Sequence, residues 1–307
     1  MPFKKINNSA CKIATLEIGD ILFNISYPDS ITIAEPDDAY KRFMQKSRNH
    51  HAVINTQMLL DLNDMPDTGS CEKIFESEPI SIYRNDGFII SLQMPVLDEP
   101  LRMATVNKDF DNIKVYCSTY MQEKGDNDGA FQNPLYYPLD QVLLMLYLAN
   151  NQGGLLHTGG IYMDNQVFLF PGKSGAGKST LCRQFEKDKD FRLINDDRLL
   201  IRKDKDHYMA YGTPWPGENG YTENIGLPVG GIFFISKSNG DRIRPLSRQD
   251  AFEKLIPVLS IPWYEPELVS NYLIFCELLV DQIPVYELSF EPDKNISNVF
   301  KKFINTL

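Results

Sequence analysis

Residues 168–197, FLFPGKSGAGKSTLCRQFEKDKDFRLINDD, decide how the rest of this chain is read. Within them, Gly172-Lys173-Ser174-Gly175-Ala176-Gly177-Lys178-Ser179 fits the phosphate-binding pattern G-x-x-x-x-G-K-[ST] at every fixed position. The glycines let the backbone turn tightly, so that its N–H groups face phosphate oxygens. Lys178 can then reach the outer phosphates, and the Ser179 hydroxyl can hold Mg²⁺. Val167 to Phe170 reads as a short buried strand, and Ser179 to Lys187 as a helix without a breaker. Strand, glycine loop and helix N-terminus favour an anion through the helix dipole. A glycine-rich turn that binds nothing is the plainer alternative.

Two features flank the loop. Asp196-Asp197 follow Lys178 by eighteen and nineteen positions, at the end of an apolar strand. One carboxylate there can hold Mg²⁺, and its neighbour can accept a proton from an attacking hydroxyl. An inert Asp-Asp turn is the competing reading. On the other side, Leu155 to Met163 with the turn Asp164-Asn165 predicts a strand pair that runs into the loop strand and carries His157. Alone, such a histidine is a core residue; beside the loop strand it becomes a site residue. Cys182 reads as a small core residue of the loop helix.

The totals bound the rest. The 307 residues carry 43% hydrophobic and 23% charged side chains, enough for a large core and two domains. A net charge of −10 argues against nucleic acid or an anionic membrane as the main partner. The start, MPFKKINNSACKI, has no apolar core of signal-peptide length, and the longest apolar run, Val142 to Ala149, is too short to span a bilayer. The five scattered cysteines form no CxxC, which points to reduced thiols and a cytoplasmic setting.

Residues 1–134 read as a β-rich domain: a hairpin across Gly19-Asp20, a short helix over 38–45, and short apolar runs separated by Asn85-Asp86-Gly87, Pro100 and Asp109 to Asn112. His50-His51 reads as a solvated loop rather than a metal site, since neighbours on a strand face opposite sides. The loop Asp126 to Gly129 is polar. From Pro134 the character changes. Residues 141–150 predict a buried helix led in by Pro138 and ended by Gly153-Gly154. After the loop helix come a strand at 191–194, a hairpin from 199–202 and 208–211, and an irregular Gly/Pro-rich loop over 212–226. A strand at 231–236, helices over 247–258 and 266–281, a strand at 285–290 and a closing helix over 295–304 complete the chain. The last helix has Ile296, Val299, Phe300 and Phe303 at helical spacing. Arg242 and Arg244 read as solvated strand residues.

Leu156-His157-Thr158-Gly159-Gly160, then Phe170 to Thr180, then Leu193-Ile194-Asn195-Asp196-Asp197-Arg198 resemble the HPr serine kinase catalytic domain, and more closely the HprK-related kinase-like group. Tyr137-Pro138-Leu139-Asp140 and Pro284 to Leu288 match the group as well, so the resemblance covers residues 136–307. It implies an α/β fold with a phosphate-loop core shared with ATP-dependent phosphoenolpyruvate carboxykinases, here over residues 135–307 behind the β-rich domain. It also implies ATP with Mg²⁺ as donor and a serine of a protein or peptide as acceptor. By position, His157 and Lys178 would lie at the transferred phosphate, and residues Gly172 to Thr180 would hold the nucleotide. Ser179 would bind the metal. Asp197 is the favoured base with Asp196 on the metal side, the order of the two staying open. The Glu-Val-Arg-Gly-Leu-Gly-type stretch of the bifunctional enzymes is replaced by Glu218 to Gly226, where Glu218 and Glu223 are the candidate carboxylates. A small-molecule kinase and a non-catalytic ATP-binding scaffold are the competing functions.

Overall fold

The computed structural model describes residues 11–44, 50–123, 129–173, 175–236, 240–291 and 296–306. The chain is a mixed α/β protein that divides into two units, Met1–Leu143 and Leu144–Leu307. Among the described residues, no helix is long and apolar enough to cross a membrane.

The first unit is built on one eight-stranded sheet. Its strands are β1 (Cys11–Ile18), β2 (Ile21–Pro28), β3 (Ala52–Leu59), β4 (Glu72–Ser77), β5 (Ile80–Arg84), β6 (Gly87–Leu92), β7 (Arg102–Asn107) and β8 (Asn112–Cys117). They are ordered β1-β2-β3-β8-β7-β6-β5-β4. Local turn chemistry sets most of it. Gly19 and Asp20 both take positive φ, 65° and 59°, which matches the twist of a two-residue hairpin. The short helix α1 (Asp38–Lys41) starts where the Asp37 side chain accepts the Tyr40 N–H at 2.9 Å.

Strand β3 is absent from the sequence expectations. It pairs parallel to both β2 and β8, so no hairpin turn announces it. Its buried face, Ile54, Thr56 and Met58, includes a polar residue that masks the alternation. His50, just ahead of β3, is not a solvated loop residue: its Nδ1 lies 3.4 Å from the buried carboxylate of Glu17. The polar loop expected over 126–129 and the start of the closing helix at 295 fall largely outside the described residues.

A buried polar knot ends this unit. Arg102 donates to the carbonyls of Pro134, Tyr136 and Tyr137. The Tyr40 hydroxyl donates to Asp140 at 2.7 Å and accepts from the Tyr137 N–H at 2.8 Å. Helix α2 (Leu139–Ala149) follows, apolar on nearly every side as its sequence demands.

In the second unit, β9 (Gly153–Met163) is the organising strand. Gly153-Gly154 do not terminate α2; they open β9. A side chain at Gly153 would meet Ile201 O at 2.8 Å, and one at Gly154 would press on Leu259 and Tyr272 at 3.0 Å, so glycine is needed for close packing. The remaining strands are β10 (Gln166–Pro171), β11 (Arg192–Asn195), β12 (Arg198–Asp204), β13 (His207–Tyr211), β14 (Gly226–Ser236), β15 (Arg242–Pro245) and β16 (Val285–Ser289). The order is β10-β9-β12-β13-β14-β16-β15, with β11 also on β9 and β10 also pairing parallel to β14.

The helices are α3 (Lys178–Glu186), α4 (Arg248–Leu255), α5 (Pro266–Gln282) and α6 (Ile296–Ile304). Phe168, Phe170, Phe185, Phe191, Phe233 and Phe300 form an aromatic core that seats α3 and α6 on the sheet. On α6, Ile296 and Phe300 are buried while Val299 is 36% exposed, so the apolar stripe is narrower than its spacing suggests. Arg244 pairs with Glu287 at 2.8 Å on the β15–β16 ladder.

Candidate active site

The two edges of β9 bring the chemistry together. Its C-terminal half pairs with β10 so that Thr158 faces Pro171, and Gly172 N donates to His157 O at 3.4 Å. Its N-terminal half pairs with β12 so that His157 faces Arg198, and Thr158 N donates to Asp197 O at 2.9 Å. One residue, His157, therefore stands between the glycine loop and the aspartate pair.

Backbone conformation explains the loop glycines. Gly175 and Gly177 take φ of 76° and 100°, in the left-handed region that favours glycine. A side chain on Gly172 would collide with Ala176 Cβ at 2.8 Å. Lys173 and Thr180 are exposed and Ser179 is half-buried on the first turn of α3; Ser174 lies outside the described residues. The buried stripe of α3 is Lys178, Leu181, Cys182 and Phe185, at helical spacing. The lysine thus stands at the head of the face that packs on the sheet. Burial pushes the Cys182 thiol up to about 12, which makes it inert core.

Lys178 Nζ lies 2.7 Å from Gly172 O, 3.2 Å from Lys173 O and 2.9 Å from His157 Nε2. An ammonium has three hydrogens and accepts none, so these three contacts satisfy it. Nε2 must then offer its lone pair, which places the ring proton on Nδ1. Nδ1 lies 3.1 Å from Asp197 Oδ1, but that oxygen sits off the line of the N–H, so the contact is electrostatic rather than an aligned hydrogen bond. Burial lowers the Lys178 pKa, and the Asp197 carboxylate opposes it.

The two aspartates part company. Asp196 is buried and its carboxylate accepts Gly217 N at 2.8 Å and Asn219 N at 2.7 Å. It fastens the loop over 212–226, which Asn195 also holds through the Thr213 carbonyl at 3.0 Å. Asp197 keeps 29% of its side chain exposed and faces His157 through Oδ1 and Arg198 Nε through Oδ2 at 3.3 Å. Burial favours its protonated form, but His157, Arg198 and Lys178 outweigh that and hold the carboxyl below its ordinary range. Glu223 is bound to the Tyr221 and Tyr162 hydroxyls, at 3.1 and 3.4 Å, and Glu218 is exposed.

Arg198, Asn195 and Ser260 complete the arrangement and were missed as site residues in the sequence. Asn195 Oδ1 accepts the N–H groups of Asp197 and Arg198 at 2.8 and 3.0 Å, an Asx-type turn that aims Asp197. The run Asn-Asp-Asp-Arg was its visible signal. Ser260, which accepts from Arg198 Nη1 at 3.1 Å, has no local signal.

Among the described residues, no group of three or more His, Cys, Asp or Glu side chains is placed to hold a metal ion. A Mg²⁺ needs only one or two protein oxygens beside substrate phosphates and water, and the Ser179 hydroxyl with the aspartate pair is a donor set of that chemistry.

No family model and no curated protein matches the chain. A solved structure of the HPr(Ser) kinase/phosphatase from Coxiella burnetii aligns over 50% of this chain and 94% of its own, with 13% sequence identity and a TM-score of 0.28. That similarity is weak, and the functional reading rests on the side chains.

Proposed function

We propose that this protein is an ATP- and Mg²⁺-dependent kinase that transfers the γ-phosphate to a serine or threonine hydroxyl of a protein or peptide, on a phosphate-loop core of the HPr kinase type. The observation that carries this reading is the convergence of Lys178, His157 and Asp197 at the head of the glycine loop. In it, the loop N–H groups and Lys178 hold the phosphates, while Ser179 and Asp196 supply the metal side. Bound Mg²⁺ would offset the charge on the phosphate oxygens. Asp197 takes the hydroxyl proton; its exposure favours it over Asp196, which is buried and engaged with the loop over 212–226. His157 orients Asp197 and shares Lys178 with the phosphates. The five cysteines are free thiols, which suits a cytoplasmic setting.

Asp197→Asn tests this. Transfer from Mg-ATP to serine peptides should fall by about 10²–10⁴-fold, with ATP affinity, measured by calorimetry, little changed. Transfer at the wild-type rate would remove Asp197 as the base.

A further inference from the structure

Asp197 offers two sides. Oδ1 faces His157 and, through it, Lys178 and the glycine loop. Oδ2 faces Arg198, whose guanidinium reaches on to Ser260 Oγ. In-line transfer puts the attacking hydroxyl on the side of the phosphorus away from ADP. With the phosphates at the loop and His157 between Lys178 and Asp197 Oδ1, the side of Asp197 left for that hydroxyl is the one toward Arg198.

The segment on that side is well anchored. Ser260 N donates to Leu155 O at 2.9 Å, and Leu259 bridges to Leu156, so the segment lies along the N-terminal half of β9. Leu259 and Ile261 are buried, yet Trp263 is 61% exposed. Trp263 lies within about 11 Å of Ser260 along the chain. The chain turns there, with the Trp263 N–H donating to Ile261 O at 2.9 Å, and the exposed indole adds little to the core.

We propose that Arg198, Ser260 and Trp263 form the acceptor-binding face, and that its occupant is an extended peptide with an apolar side chain near the acceptor serine. This rests on the kinase reading. Arg198 is the positioning residue: fixed by Ser260, it holds the Asp197 carboxylate toward the incoming hydroxyl. Trp263 is the anchor. Since Trp263 lies within that reach of Ser260, the indole matches an apolar residue within about three positions of the serine. As the bond from the serine Oγ to the γ-phosphorus forms, the β–γ bridging P–O bond breaks. ADP leaves, and the hydroxyl proton passes to Asp197.

The test uses the full chain with Mg-ATP and two probes: free serine, and a pool of short peptides with a central serine and randomised flanks. Phosphorylated peptides should be enriched in aromatic or aliphatic residues near the serine, and free serine should be a far poorer acceptor. Trp263→Ala should raise the KM for an enriched peptide by about ten-fold or more, with kcat and Tm unchanged. Arg198→Ala should lower kcat with the KM for Mg-ATP unchanged, and Arg198→Lys should not restore it, because lysine lacks the planar fork. Absence of enrichment, an unchanged KM in Trp263→Ala, or free serine used as well as the peptides overturns the proposal. If Asp197→Asn still abolishes transfer in those cases, the kinase reading survives without this acceptor face. If the wild-type protein phosphorylates neither probe, this face is overturned; if it also binds no Mg-ATP by calorimetry, the kinase reading fails with it.

Discussion

Arg102 in the first unit and Lys178 in the second are both buried cations, 5% and 7% exposed, and burial lowers the pKa of each. Their partners differ. Arg102 is spent on the carbonyls of Pro134, Tyr136 and Tyr137, in a segment closed by the Tyr40–Asp140 hydrogen bond. Lys178 is held by carbonyls of a glycine loop and by His157, itself against Asp197 in a partly exposed pair. A phosphate cannot compete for the first set without unravelling the chain, whereas on the proposed function it would take the place of the second. Burial alone therefore does not single out Lys178; what sets it apart from Arg102 is the kind of partner that holds it.

The sharpest way to break this comparison is to truncate both cations. Arg102→Ala leaves several carbonyls without their donor and should cost about 3 kcal/mol or more in urea unfolding. Lys178→Ala leaves carbonyls of the partly exposed Gly172 and the exposed Lys173, which water can reach, and should stay within about 1 kcal/mol, while losing ATP binding. Equal destabilisation by the two would show that Lys178 is scaffold. Next in size is Asp196→Asn, which turns a doubly accepting carboxylate into an amide and should cost about 2 kcal/mol. The loop over 212–226 should also become more open to protease; an unchanged loop would show that Asp196 does not hold it.

The smallest effect concerns pH. Asp197 is held below its ordinary range, so its contribution to stability is present above the unfolded-state carboxyl value and disappears as pH falls through the depressed one. The stability difference between wild type and Asp197→Asn should shrink over that acid window, by under about 1 kcal/mol for a partly exposed pair. A difference that grows on acidification would reverse the assigned direction.

Several elements were legible because their causes are local. Gly19-Asp20 and Asp164-Asn165 need positive φ, and both are hairpin turns. Lys178 to Glu186 carries a helical stripe, and Ser247 caps α4 through the Asp250 N–H at 3.1 Å. The candidate residues His157, Lys178 and Asp197 stood out by type and spacing, and the fold does bring those three side chains together. Strand β3 did not stand out, because its partners β2 and β8 are joined to it by no turn. Gly153-Gly154 misled, because the same residue that ends helices also admits neighbouring backbone into a strand.

By itself, then, the sequence determined the glycine loop, the helix behind it and the residue types around it, since turns, caps and periodicity act over a few residues. Tertiary structure alone decided which aspartate turns toward Lys178, because that depends on the two edges of β9 and on Gly217 and Asn219 claiming Asp196. It also joined Arg198 to Ser260, far apart in the chain, because only the folded sheet can bring such groups within hydrogen-bond reach.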